Sequence, residues 1–159
     1  MSEHTGTFVV THAETESAVV RDVETAQVHT LSSNPGLETR DVLAATLAPE
    51  PPLEVAWQVV DVEERRRVEL IDSDLAPTQR SRALASEIDV GEIDRVERAG
   101  RGEVHVLAVP KTAVETVASD VLEDLETVAR AARLDAVRVE VRRALADDHG
   151  VVSVRYLPD

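Results

Sequence analysis

The stretch GTFVVTHAETESAVVRDVETAQVHTLSSNPG, residues 6–36, decides the reading of the first half of the chain. Three short runs rich in Val and Thr, from Thr7 to His12, Ser17 to Val23 and Gln27 to Leu31, are separated by the polar segments AETE and ETA. β-Branched residues suit a pleated, half-buried surface, so the runs read as three strands of an antiparallel meander. Ser33-Asn34-Pro35-Gly36 then signals a type II turn: proline presets the second position and glycine accepts the positive φ of the third. The chain is expected to reverse there.

Working outward, Asp41 to Ala48 reads as a fourth strand and Leu53 to Val62 as a fifth, in which Val55, Trp57 and Val59 alternate with Ala56, Gln58 and Val60. The prolines of Pro49-Glu50-Pro51-Pro52 cannot pair within a sheet interior and mark the crossing between the two. Five short strands with tight turns suit a small antiparallel β-barrel of the OB or SH3 type, because curling the sheet removes its exposed edges. A sandwich of three strands on two is the rival arrangement. This unit is assigned residues 1–72.

Residues 73–89 read as a linker with one short helix, entered near Pro77. Val90 to Arg98 and Glu103 to Val109 are two strands flanking Ala99-Gly100-Arg101-Gly102, a loop of hairpin length. Val114, Val117, Val121, Leu125, Val128 and Ala132 then recur at helical spacing, with Arg130 and Arg133 in the last turn where cations favour the dipole. A break near Asp124 would make this two helices. Ala136 to Arg142 and Val151 to Leu157 close the pattern, joined through Asp147-Asp148-His149-Gly150, where turn chemistry with glycine at positive φ is expected in preference to a metal site. Residues 90–159 therefore read as a ββαββ domain, an antiparallel sheet covered by a helix, and the whole chain as α+β.

Composition bounds the environment. The 159 residues include 31 Asp and Glu against 17 Lys and Arg, for a formal charge of −14, and Lys111 is the sole lysine. At about 1 M salt the Debye length is only ~3 Å, so self-repulsion of that size is largely screened. The excess thus describes solvent more than partners: it reads as adaptation to molar salt, with an acidic protein from an arginine-favouring genome as the alternative. Cysteine is absent, which removes disulfides, thiolate metal sites and thiol nucleophiles. No run approaches the roughly 20 apolar residues of a membrane span, and the N-terminus lacks the pattern of a signal peptide, so cytoplasmic residence without membrane contact is expected.

Five segments together resemble a family of uncharacterised proteins from halophilic archaea: GTFVVTH from Gly6, HTLSSNPGLE from His29, APEPPLEV from Ala48, GEVHVLAVP from Gly102 and GVVSVRYLP from Gly150. The resemblance spans nearly the whole chain and implies a saline habitat, but carries over no catalytic residue. Separately, PGLETRDV from Pro35 resembles a strand entry of small nucleic-acid-binding barrels in which glycine precedes the aspartate. Arg40 holds that position here.

Residues that carry chemistry are few. No serine sits in a nucleophile elbow, no glycine-rich loop cradles phosphate, and no cofactor is expected. His12 and His29, on strands one and three of the meander, are the candidate metal ligands, and a hydrolase built on them would need both rings to converge on a cleft. His105 reads as a half-exposed sheet residue. The Arg65-Arg66-Arg67 run, read as lying just past the fifth strand, is the candidate phosphate contact for nucleic acid, supported by Arg40. Its alternative is neutralisation of neighbouring acids such as Asp61, Glu63, Glu64 and Glu69. The expected function is a non-catalytic interaction or adaptor protein for another protein or for a second copy of itself. The alternative is a nucleic-acid-associated barrel.

Overall fold

The computed structural model describes residues 3–51, 55–97 and 102–158. The start of the expected fifth strand and most of the Ala99 to Gly102 loop lie outside them. The chain divides into two compact units, one of residues 1–68 and 128–133, the other of residues 69–127 and 134–159.

In the first unit, β1 (His4–Ala13), β2 (Ala18–Asp22), β3 (Val28–Leu31), β4 (Val42–Pro49) and β5 (Trp57–Arg66) follow the expected order, with β1 longer than read and β5 ending four residues later than read, so that Arg65 and Arg66 lie on the strand rather than past it. The sheet order is β1-β2-β3-β5-β4, and β4 pairs back with β1, so the sheet closes into a ring. Register shifts between Val10 and His12 in β1, and at Ala44/Ala45 and Thr46/Leu47 in the β4–β5 pairing, supply the bends that curling requires. Alternation sends Phe8, Val10, Ala18, Val20, Leu31, Leu43, Ala45 and Leu47 inward, joined by Leu37 from the following loop. Each fully buried Val or Leu contributes about 1.5–3 kcal/mol relative to exposure, which is how a core with one phenylalanine suffices.

The turn expected at residues 33–36 is built by asparagine as much as by proline. Asn34 Oδ1 accepts from the amides of Gly36 (3.0 Å) and Leu37 (2.6 Å), while its side-chain amide donates to the carbonyls of Leu37 and Glu14. Gly36 takes φ +98°.

The second unit is a five-stranded sheet in the order β6-β9-β10-β8-β7. Here β6 is Glu69–Asp72, β7 Ile93–Glu97, β8 Glu103–Val109, β9 Arg138–Leu145 and β10 Gly150–Leu157. The four strands after residue 90 pair antiparallel, as expected, but β6 was not foreseen and runs parallel to β9. The residues read as the end of the first domain thus belong to this sheet. The linker likewise folds onto it: α1 (Gln79–Glu87) is capped by Thr78, whose Oγ1 accepts from the Ser81 amide. Its Ala85, with Leu84 and Ile88, packs against Val104, Val106, Ala108 and Val151.

The long helical pattern breaks at Asp124 (φ −78°, ψ 125°) into α2 (Val114–Glu123) and α3 (Leu125–Arg133). Asp124 caps the second of these by accepting from the Glu126 amide at 2.9 Å. Helix α2 meets the sheet where a Cβ on Gly150 would collide with Val114, on the face opposite Val151. The sheet is therefore covered on both faces, α1 on one and α2 on the other, rather than on one face by a single helix. This explains why Val151, Val152, Ser153 and Val154 on central β10 are all buried. The last turns of α3 belong to the first unit, where the Arg133 guanidinium donates to the Val23 carbonyl at 3.1 Å.

Candidate functional site: a histidine cluster inside the ring

Strand β3 exposes Val28 and Thr30 and turns His29 inward, so this imidazole stands in the ring interior at 1% exposure. Neither ring nitrogen has a hydrogen-bond partner. His29 stacks on His4 (centroids 5.3 Å apart, planes at 23°) and meets Trp57 edge-on at 4.5 Å and Phe8 edge-on at 5.8 Å.

His4 is oriented by Asp22, with Nε2 to Oδ2 at 2.7 Å. Asp22 is itself held at the end of β2: its Oδ1 accepts from the amides of Glu24 (2.8 Å) and Thr25 (3.1 Å), within a loop that Ala26 closes at φ +65°. Gly6 leaves room for the pair, since a Cβ there would lie 3.1 Å from Asp22 Oδ2. Burial works to raise the Asp22 pKa, but the hydrogen bond from His4 and those from the two amides outweigh it, and the carboxyl falls below its ordinary value. His29 is pushed below the ordinary histidine value, first by burial and then by the charge of His4, with Asp22 opposing. The cluster thus joins an enclosed imidazole, His29, to a second, His4, whose Nε2 is held by the Asp22 carboxylate.

His4 and Asp22 escaped the sequence reading because His4 precedes the run that announced β1 and Asp22 is one acid among 31. The only available signal was alternation: the Thr7 to His12 run extended backward by three residues puts His4, Gly6 and Phe8 on one face.

The other sequence-selected residues are placed apart from this cluster. His12 lies on the outside of the ring, 62% of its side chain exposed, with Nε2 3.2 Å from Glu14 Oε1. It and His29 therefore occupy opposite faces of the sheet and do not converge as ligands. Among the described residues no group of three His, Asp or Glu is placed to hold a metal ion.

The arginine run is bound up in the chain itself. Asp41 is buried, and its Oδ2 lies 2.9 and 2.7 Å from Nε and Nη2 of Arg65, its Oδ1 3.3 Å from Nε of Arg67. Arg67 also donates to the Thr39 carbonyl, and the Glu38 amide donates to Asp41 Oδ2. Arg66 lies 3.8 Å from Glu64. Arg40, in the position that resembled a glycine site, adopts φ +79° and donates its amide to the Val10 carbonyl. Two of the three arginines thus clamp the 38–41 turn through one buried carboxylate, a partner sequence proximity did not suggest.

In the second unit His105 is buried at 5%, against the half-exposed position expected, with Nε2 3.1 Å from Glu103 and its ring 4.9 Å from Tyr156. His149 Nδ1 lies 2.6 Å from Asp148 Oδ1, while its Nε2 is buried without a partner. The hydrogen bond to His149, then its charge and that of Lys111, lower the pKa of Asp148. Two open recesses lie at the surface, one lined by Glu14, Thr15, Asn34 and Glu38 with Ala13 and Leu37, the other by Glu14, Thr15, Glu16, Ser17 and Ser32.

These features define an α+β protein of two compact units. Residues 4–143 match the family of unknown function DUF5812, and the chain belongs to that family. No curated protein and no solved structure matches it. No described helix is long and apolar enough to cross a membrane.

Proposed function

We propose that this is a non-catalytic interaction protein whose docking element is the edge strand β7. The observation that carries the reading is the state of that edge. β7 pairs with β8 in unbroken register from Ile93↔Leu107 to Glu97↔Glu103, and among the described residues no strand lies on its other flank. Edge strands are ordinarily blunted by bulges and charge. β7 carries Asp94 and Arg95 but has no bulge, and it leaves Ile93 and nearby Val90 half exposed. A regular edge with an apolar anchor accepts an extended segment through main-chain hydrogen bonds, from another protein or a second copy.

One observation favours nucleic acid instead. The ring order β1-β2-β3-β5-β4, with β3 and β5 parallel, resembles that of small barrels of the OB type, which bind oligonucleotides across strands two and three. Here that outer face presents Val19, Arg21, Val28 and Thr30, no aromatic platform for stacking, and Arg65 and Arg67 are engaged by Asp41. The interaction reading therefore stands first.

Cross-linking of the full chain in its own cell extract, at native salt, separates the two. Cross-links to a protein or a second copy should concentrate on residues 90–97 and disappear in Ile93→Lys, with stability unchanged within about 0.5 kcal/mol as for surface substitutions. Recovery of RNA, unaffected by Ile93→Lys, would replace this reading with the nucleic-acid one.

The −14 charge supports a working environment of molar salt, the habitat implied by the resemblance to halophile proteins. Raising KCl from 0.1 M, where the Debye length is about 10 Å, to 2 M should raise the melting temperature as repulsion is screened. A melting temperature flat or falling over that range contradicts it.

A further inference from the structure

The ring is not equally well closed all round. Four of its strand junctions run for most of a strand, but β3 and β5 meet at the single residue pair Leu31↔Trp57. Around that pair the Ser32 amide donates to the Trp57 carbonyl at 3.0 Å, and the Ser32 hydroxyl donates to Glu50 Oε1 at 2.5 Å. Side chains join the same junction through the Ser32 hydroxyl, 3.4 Å from the Trp57 carbonyl, and through the edge-on contact of His29 with Trp57.

A neutral imidazole suits this position, because its neighbours there are ring faces and aliphatic groups. An imidazolium does not: it is a donor at both nitrogens, and neither has an acceptor. The elements packed around it supply no remedy. β1 contributes Phe8 and His4, the latter opposing a second positive charge; β5 contributes Trp57; β4 turns Leu43, Ala45 and Leu47 inward. The one nearby anion, Asp22 at the end of β2, already accepts from His4 and from two backbone amides. Parting the β3–β5 junction, the shortest in the ring, gives the ring nitrogens access to water at the least cost in backbone hydrogen bonds.

We infer that the ring carries an acid-operated seam: protonation of His29 opens the junction between β3 and β5 while the second unit stays folded. The sign follows from burial. His29 binds its proton less readily in the closed ring than in water, where the ordinary value is 6.5. Closure is therefore fully favoured above that pH, weakens as pH falls below 6.5, and stops weakening once the closed form itself takes up the proton. Asp22, lowered from 3.8, loses its own contribution only as pH falls below that value, so a response between about 4.5 and 6.5 is not that of Asp22. One proton allows at most a tenfold rise in the opening constant per pH unit.

The test is hydrogen exchange of the full chain in 2 M KCl between pH 7.5 and 4.5, corrected for the intrinsic pH dependence of exchange. The Ser32 amide reads the seam, the Val152 and Val154 amides read the second unit, and emission of the sole tryptophan, Trp57, provides an optical readout. The expected result is an opening constant at Ser32 that climbs below pH 6.5 in the native chain and stays flat in His29→Phe, with β10 unmoved in both. His29→Gln, neutral throughout, is expected to be flat as well and serves if phenylalanine disrupts the fold. An equal acid response at Ser32 in the neutral variants, no response in the native chain, or a matching response in β10, overturns the inference.

Discussion

Replacing Gly150 with alanine is expected to lower the unfolding free energy by about 3 kcal/mol, the upper end of what overpacking a filled core costs. Gly150 is buried at the head of β10, and a Cβ there would run into Val114 Cγ2, with Val109 Cγ2 at 3.2 Å and the Pro110 carbonyl at 3.5 Å behind it. Val114 cannot swing aside, because a β-branched side chain in a helix is held to one rotamer. Relief must come from moving α2 off the sheet. Urea denaturation checks the size of the effect, and a double-mutant cycle checks its cause. Val114→Ala opens space above Gly150, so in its background the added methyl should cost at least 1 kcal/mol less, the scale of coupling between touching residues. Additive losses would place the strain elsewhere.

Gly150 also shows where sequence reading reaches its limit. Asp147-Asp148-His149-Gly150 suggested a turn whose glycine is needed for positive φ, yet Gly150 is not among the residues at positive φ and is a strand residue kept small by a helix 36 positions upstream. Period-two alternation and turn residues are local signals, and the elements that carry them emerged nearly as read: β1 to β4, β8 to β10, and the helical segment with its break at Asp124. What was missed depends on contacts distant in sequence. β6 is four residues of mixed polarity that become a strand only because β9 offers a free flank. α1 offers only a short apolar stripe, Leu84 and Ala85, and folds because the face of β8 is there to receive it. The same holds at the polar clusters: His29 was legible as a strand histidine, but its neighbours His4 and Trp57 come from the two far ends of the ring segment.

Asp41→Asn is the second change expected to cost about 3 kcal/mol, the lower end of the range for breaking a buried ion pair, because the arginines left behind are about half exposed and regain water. Asparagine keeps the shape and one acceptor but loses the charge that two guanidinium groups share, together with an oxygen that the Glu38 amide uses. Arg65→Ala alone should cost less, since Arg67 still pairs with the carboxylate. As Asp41 is shielded from solvent, the loss should persist in 2 M KCl, where an exposed pair would be screened to nothing. A loss below about 1 kcal/mol at that salt would reduce the clamp to an ordinary surface pair. The same variant also bears on the nucleic-acid reading, with the opposite sign. If Arg65 and Arg67 bind phosphate, Asp41 competes with the ligand for them, and neutralising it should tighten binding to a short RNA even as it weakens the fold. If their work is to hold the 38–41 turn, the variant loses stability and gains no affinity, which is the result expected here.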